Sequence, residues 1–190
     1  MSHYTVAVIT EQKPTEEQIE EILAPFDEGL SVEPYISYPY ETVKEELRKN
    51  FCNPAEEPDE IEMLHALEDD DIEKIREINE EWNYYEDIDE NGNAISTYNP
   101  NSKWDWYEIG GRWRNFLNGE KSVRLSEHPK DRNCYAVLTP DGKWHESGRM
   151  WWWGFSMASK EEQDAWPENY WKIINSFPKD YYITVVDCHI

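Results

Sequence analysis

Two histidines near opposite ends of the chain lie in short polar runs that could do proton chemistry. His3 and Thr5 alternate along the first predicted strand, and Asp187 and His189 alternate along the last. Residues two apart on a strand share a face. An antiparallel pairing with His3 opposite His189 would therefore gather two imidazoles, a hydroxyl and a carboxylate on one side of a sheet. A slip of one residue would bring Cys188 there instead. Such a group could supply a general base and a general acid for phosphodiester hydrolysis, or could ligate a divalent metal. His3, Thr5, Asp187 and His189 are thus the candidate catalytic residues. His3-Tyr4-Thr5 has the H-x-T form used by two-histidine phosphoesterases, but only Ile190 follows His189, so a second H-x-[ST] is missing. The plainer alternative is a pair of terminal histidines that only stabilise the strand ends.

The stretch from Asn99 to Trp113 is the second candidate. Gly110 and Gly111 would let backbone amides approach a ligand, while Lys103 and Arg112 would hold phosphate. Trp104, Trp106 and Trp113, with Asp105 among them, offer flat faces and a polar edge for a base. No G-x-x-x-x-G-K-[ST] or G-x-G-x-x-G run occurs, so neither a P-loop nor a dinucleotide fingerprint is present. Alternating aromatics also pack cores and cross-strand pairs. Arg149 to Phe155, with three consecutive tryptophans, reads as a pocket wall, a partner surface or a buried strand. Asp27 and Glu28 follow a predicted helix end and could meet a cation or Arg112.

The elements that must position these residues follow from pattern. Residues 3–10, rich in Thr and Val, read as a strand buried on both faces. Thr15 with Gln18 forms a capping box before Ile19, Ile22 and Leu23. Leu30 to Tyr38 reads as a second strand placed at an edge by Pro34. Glu41 to Trp82 is helical and acidic, with Asp69-Asp70-Asp71 breaking it and capping the following helix. Asn91-Gly92 marks a tight turn. Cys134 to Leu138 and Lys143 to Ser147 form a hairpin around Thr139-Pro140-Asp141-Gly142, a short amphipathic helix starts at Ser159, and Tyr181 to Cys188 is the last strand. This order predicts one α+β domain over residues 1–190, with an antiparallel or mixed sheet and helices on one face. A ferredoxin-like core carrying an acidic helical insert over about 41–90 fits it.

Charge divides the chain. It has 41 acidic and 18 basic residues, a net charge of −23. Residues 1–100 hold 28 of the acids and 6 of the bases, whereas nine of the ten tryptophans lie beyond residue 100. Such a balance argues against duplex nucleic acid as a partner. The acidic stretch reads as a solvated helical surface or as a mimic of a polyanion that docks on a basic host protein. Cys52, Cys134 and Cys188 show no C-x-x-C spacing, so reduced thiols are expected. No run reaches the ~18 apolar residues of a membrane span, and no targeting segment is visible. A cytoplasmic protein without a membrane partner is the expectation.

Ala24-Pro25-Phe26-Asp27-Glu28, Asn99 through Trp113 and the ending Val186-Asp187-Cys188-His189-Ile190 together resemble an uncharacterised family encoded largely by bacteriophages. The similarity runs through most of the chain, and the acidic insert looks variable. The resemblance implies a phage setting and the host bacterial cytoplasm. By analogy with small phage proteins that counter host defence, it suggests a cyclic-nucleotide or ADP-ribose-derived signal of the CBASS or Thoeris type as ligand. Hydrolysis of that ligand, its sequestration, and inhibition of a host defence protein are the three readings. The metal, if any, and the oligomeric state stay open, with a homo-oligomer compatible with the aromatic surface.

Overall fold

The computed structural model describes residues 2–50, 58–148 and 158–190, with the side chains of 58–60 excepted. The chain forms two compact units, residues 1–30 with 99–190, and residues 31–98.

The first unit is built on β1 (His3–Thr10) and β9 (Tyr182–His189), which pair antiparallel over their whole length. Both are buried from their second to their seventh residue, a span mostly apolar on both faces but including Thr5, Thr184 and Asp187. Odd-numbered Ala7 and Ile9 of β1 pack with Val185 and with Trp166, Tyr170 and Ile174 of α5 (Lys160–Ser176). Even-numbered Tyr4, Val6 and Val8 pack with Ile19 and Leu23 of α1 (Glu16–Leu23). The expected placement of the helices on one face is corrected accordingly: α1 covers one face and α5 the other, because β1 and β9 carry apolar side chains of both parities that need cover.

The strand β7 (Ala136–Leu138) runs parallel to β1 and carries β8 (Trp144–Glu146) as an antiparallel hairpin partner at the edge. On the other side β5 (Trp106–Ile109) and β6 (Ser122–Arg124) both pair antiparallel with β9. The antiparallel neighbours β1 and β9 match a ferredoxin-like layout. The parallel β1 and β7 pair departs from it, since a ferredoxin-like sheet is antiparallel throughout. The fold is α+β with a mixed sheet.

Local chemistry sets the helix ends. Thr15 and Gln18 form the reciprocal capping box before α1, and Ser159 and Glu162 do the same before α5. The helix α5 is not short: it continues for 17 residues through Pro167. Pro167 stands two turns inside α5, yet the helix keeps its length.

The second unit has its own core. Helices α2 (Tyr40–Asn50), α3 (Pro58–Asp69) and α4 (Ile72–Trp82) bury Val43, Leu47, Met63, Leu67, Ile75 and Ile78 together with Ile88 and Ala94. Those last two belong to β3 (Asp87–Ile88) and β4 (Ala94–Ser96), which form a three-stranded sheet with β2 (Tyr35–Tyr38) at an edge. Asp71 caps α4 by accepting from the Lys74 amide at 3.1 Å. The acidic stretch over 41–90 therefore lies within a unit that also carries strands. Among the described residues no helix is long and apolar enough to cross a membrane.

Candidate functional site

The β1 and β9 register sets His3 opposite His189 and Thr5 opposite Asp187. The β5 register then sets Trp106 beside His189 and Glu108 beside Asp187. One row across three strands thus reads Trp106, His189, His3. The imidazole centroids are 5.0 Å apart with planes at 67°, and the Trp106 ring lies edge-on to His3 at 5.9 Å. These residues occupy the same parity as Ala7 and Val185, at the strand end beyond the apolar side chains that pack on α5.

Each imidazole has its own carboxylate. His3 Nδ1 bonds Asp187 Oδ1 at 2.8 Å, and His189 Nδ1 bonds Asp105 Oδ1 at 2.5 Å. An ionised carboxylate only accepts, so in both rings Nδ1 carries the proton and Nε2 is the basic nitrogen. His189 Nε2 is buried and has no hydrogen-bond partner among the described residues. The two carboxylates differ in setting, since the Asp187 side chain is 1% exposed whereas that of Asp105 is 44% exposed.

Gly110 and Gly111 explain how Asp187 is held. Both have positive φ, +81° and +42°, which the turn out of β5 requires. A Cβ on Gly111 would stand 2.5 Å from Asp187 Cβ and Oδ2. This close approach lets the Arg112 amide donate to Asp187 Oδ2 at 2.9 Å, while the Gly110 amide bonds Val185 O. The Gly110 amide expected to meet a ligand bonds within the fold instead, and the close approach at Gly111 serves to position Asp187. The Arg112 side chain is exposed and makes no ion pair among the described residues.

The structure separates the remaining candidates. Thr5 lies on the right face, but its hydroxyl accepts the Tyr135 amide at 3.0 Å and so ties β1 to its neighbour. Trp104 is 7% exposed in the core of the opposite face, where its indole N–H donates to Leu23 O at 3.2 Å. Lys103 pairs with Glu146 at 2.8 Å on that opposite face. Trp113 packs against the α5 core. Trp104, Lys103, Thr5 and Trp113 therefore leave the site, because local pairing and packing commit them elsewhere. Trp106, 48% exposed, stays in it.

The chain matches no protein-family model, no curated protein and no solved structure. Geometry alone describes the site.

The Ala24–Glu28 loop is held by Asn99, buried and donating to Pro25 O and Asp27 O, and by Lys103 and Trp104 amides on Phe26 O. Asp27 accepts from the Gly29 amide at 2.8 Å instead of meeting Arg112. These contacts make the two sequence motifs one structural unit that supports β5. Among the described residues no three His, Cys, Asp or Glu side chains are placed to hold a metal. Cys134 and Cys188 are buried free thiols, with Cys134 pushed up to about 12 by burial. Cys52 and Arg149 to Phe155 lie outside the described residues. The role of Asp105 as the carboxylate of His189 was not readable, because it depends on how the residue before β5 meets the end of β9.

Proposed function

We propose that the His3 and His189 face binds a small cyclic nucleotide and hydrolyses a phosphodiester in it by paired-histidine acid–base catalysis. The observation that carries this reading is the pair of imidazoles 5.0 Å apart, each with Nδ1 on its own carboxylate. One Nε2 takes a proton from the attacking water as the new P–O bond forms. The other ring, protonated, gives a proton to the leaving oxygen as its P–O bond breaks. The ring protonation states are then exchanged, and bulk water restores them. Arg112 suits the phosphate because its charge is exposed and unpaired among the described residues, and Trp106 suits a base because its ring is half in solvent.

The motif resemblance to phage-encoded chains supports an immune signal of the host, a cyclic dinucleotide or an ADP-ribose derivative, as the ligand, and the host cytoplasm as the compartment. The test incubates the protein with a panel of both signal classes, with and without EDTA, and identifies nucleotides by mass after filtration and heat release. Linear products are expected, and His189→Ala should abolish their formation while ligand is still retained. An unchanged rate in His189→Ala would remove the assigned role. Intact ligand released only by heat would make the protein a sequestering one, and the EDTA arm reports any use of a metal.

A further inference from the structure

The basic run from Arg124 to Arg132 takes no part in the histidine site. Ser126, His128 and Lys130 from this run form a cavity of about 570 Å3 together with Trp171, Asn175 and Lys179 at the C-terminal end of α5. A lining without carboxylates sets it apart from three other concave surfaces among the described residues. A protein with 41 acids and 18 bases repels anions over most of its exterior. Three other concave surfaces carry carboxylates, such as Glu41 and Glu45, Glu16 and Glu120, or Glu161 and Glu162. This one has two lysines and no acid in its lining.

Neighbouring contacts preserve that charge. Lys179 Nζ donates to Asn175 Oδ1 at 2.6 Å, a neutral partner that orders the ammonium without cancelling it. Lys130 makes no ion pair among the described residues. Glu127, next in sequence to Ser126, turns its carboxylate back onto the Arg124 amide at 3.1 Å.

The cavity wall also holds an unsatisfied polar group. His128 is 4% exposed, with its ring stacked against Trp171 at 4.9 Å and Phe116 at 6.2 Å. Its Nε2 bonds the Tyr170 hydroxyl at 2.7 Å, while Nδ1 has no hydrogen-bond partner among the described residues. Buried polar atoms in folded proteins are nearly always paired.

We propose that this cavity is a second ligand site, separate from the histidine face, that takes the phosphate group of a small molecule between Lys130 and Lys179, with Ser126 and Asn175 as neutral donors. The site needs no catalysis and does not depend on the reading of the histidine face.

Titration calorimetry with pyrophosphate tests it on the intact chain. A Lys130→Ala and Lys179→Ala double variant changes only exposed side chains and is expected to fold. One saturable site should appear, weakened about tenfold or more in the double variant, the scale of one to two lost charge-assisted hydrogen bonds. A Lys121→Ala variant, which removes an exposed lysine far from this lining and outside the histidine face, should bind as the unaltered protein does. No saturable binding, equal binding by the double variant, or a loss in Lys121→Ala as large as in the double variant would each overturn the assignment.

Discussion

On the α1 face of the central sheet, Tyr4, Trp104 and Lys103 all have partners within the fold: the Tyr4 hydroxyl donates to Lys103 O, Trp104 to Leu23 O, and Lys103 to Glu146. On the α5 face at the same strand ends, His3, His189 and Trp106 present a row whose Nδ1 atoms are fixed and whose remaining surface is only partly covered. The residue types are nearly the same. Aromatic and cationic side chains close one face, while on the other the apolar cover stops short of the last polar row. The backbone pairing of each residue, more than composition, separates packing from chemistry here.

The strongest way to break that comparison is Asp187→Asn. The native carboxylate accepts from His3 Nδ1 at one oxygen and from the Arg112 amide at the other. An amide keeps one acceptor and turns a donor toward one of those N–H groups. Turnover should fall by about 10²–10⁴-fold, the usual worth of positioned acid–base catalysis, with a stability loss of about 1–3 kcal/mol from the unpaired buried group. Single-turnover rates and urea unfolding read the two effects. Native-like turnover would take the His3 and Asp187 pair out of the chemistry.

The tryptophans sharpen the same contrast. Trp104→Ala empties a core position and should cost about 3–5 kcal/mol in unfolding free energy. Trp106→Ala, two residues on, should leave stability within about 0.5 kcal/mol and weaken nucleotide binding by about 1–3 kcal/mol if a base stacks there. Calorimetric melting and equilibrium dialysis separate the outcomes. Equal destabilisation by both changes would erase the distinction between the faces.

Gly111→Ala acts between fold and site. The new methyl would enter contact distance of Asp187 at a φ of +42°, so backbone strain and displacement of the carboxylate add. A loss of about 1–3 kcal/mol is expected, with slower turnover at unchanged ligand retention. Denaturant unfolding together with the nucleotide assay checks it, and a fully stable, fully active variant would show that the close approach is not needed.

Much of this arrangement is legible before any coordinates. Residues 3–10, rich in Thr and Val, read as a strand covered on both faces, the Thr15 capping box and Ser159 start α1 and α5, and Thr139 to Gly142 turns the β7 and β8 hairpin. The register of His3 with His189 stays open even with the terminal strands as neighbours, because a slip of one residue would bring Cys188 there, and the observed pairing decides it. Trp104 and Trp106 have the same parity, so alternation alone assigns them to one face. They part because Trp104 precedes β5 and lies in an isolated bridge with Asp27, whereas Trp106 begins β5 and pairs with β9. The partnership of Asp105 with His189 was hidden for the same reason. The small sheet of residues 31–98 was hidden differently, since its strands are two to four residues long and carry little periodic signal.

A third histidine on the α5 side supplies the mildest test, because His128 is a core residue where His3 and His189 are site residues. Burial pushes its pKa down from 6.5 to about 4, with the nearby Arg132 charge adding to the effect. The folded protein then resists protonation of His128 between pH 6.5 and 4, while the unfolded chain binds a proton there. More protons on the unfolded state means that stability falls as pH falls through this window and that His128 contributes no pH dependence above it. The loss should approach about 2–3 kcal/mol near pH 4. His128→Gln removes the titration, so the stability gap between the unaltered protein and the variant should narrow from pH 7 to pH 4.5 in urea unfolding. A gap that stays constant across those pH values would mean that His128 takes its proton as readily in the fold as in water.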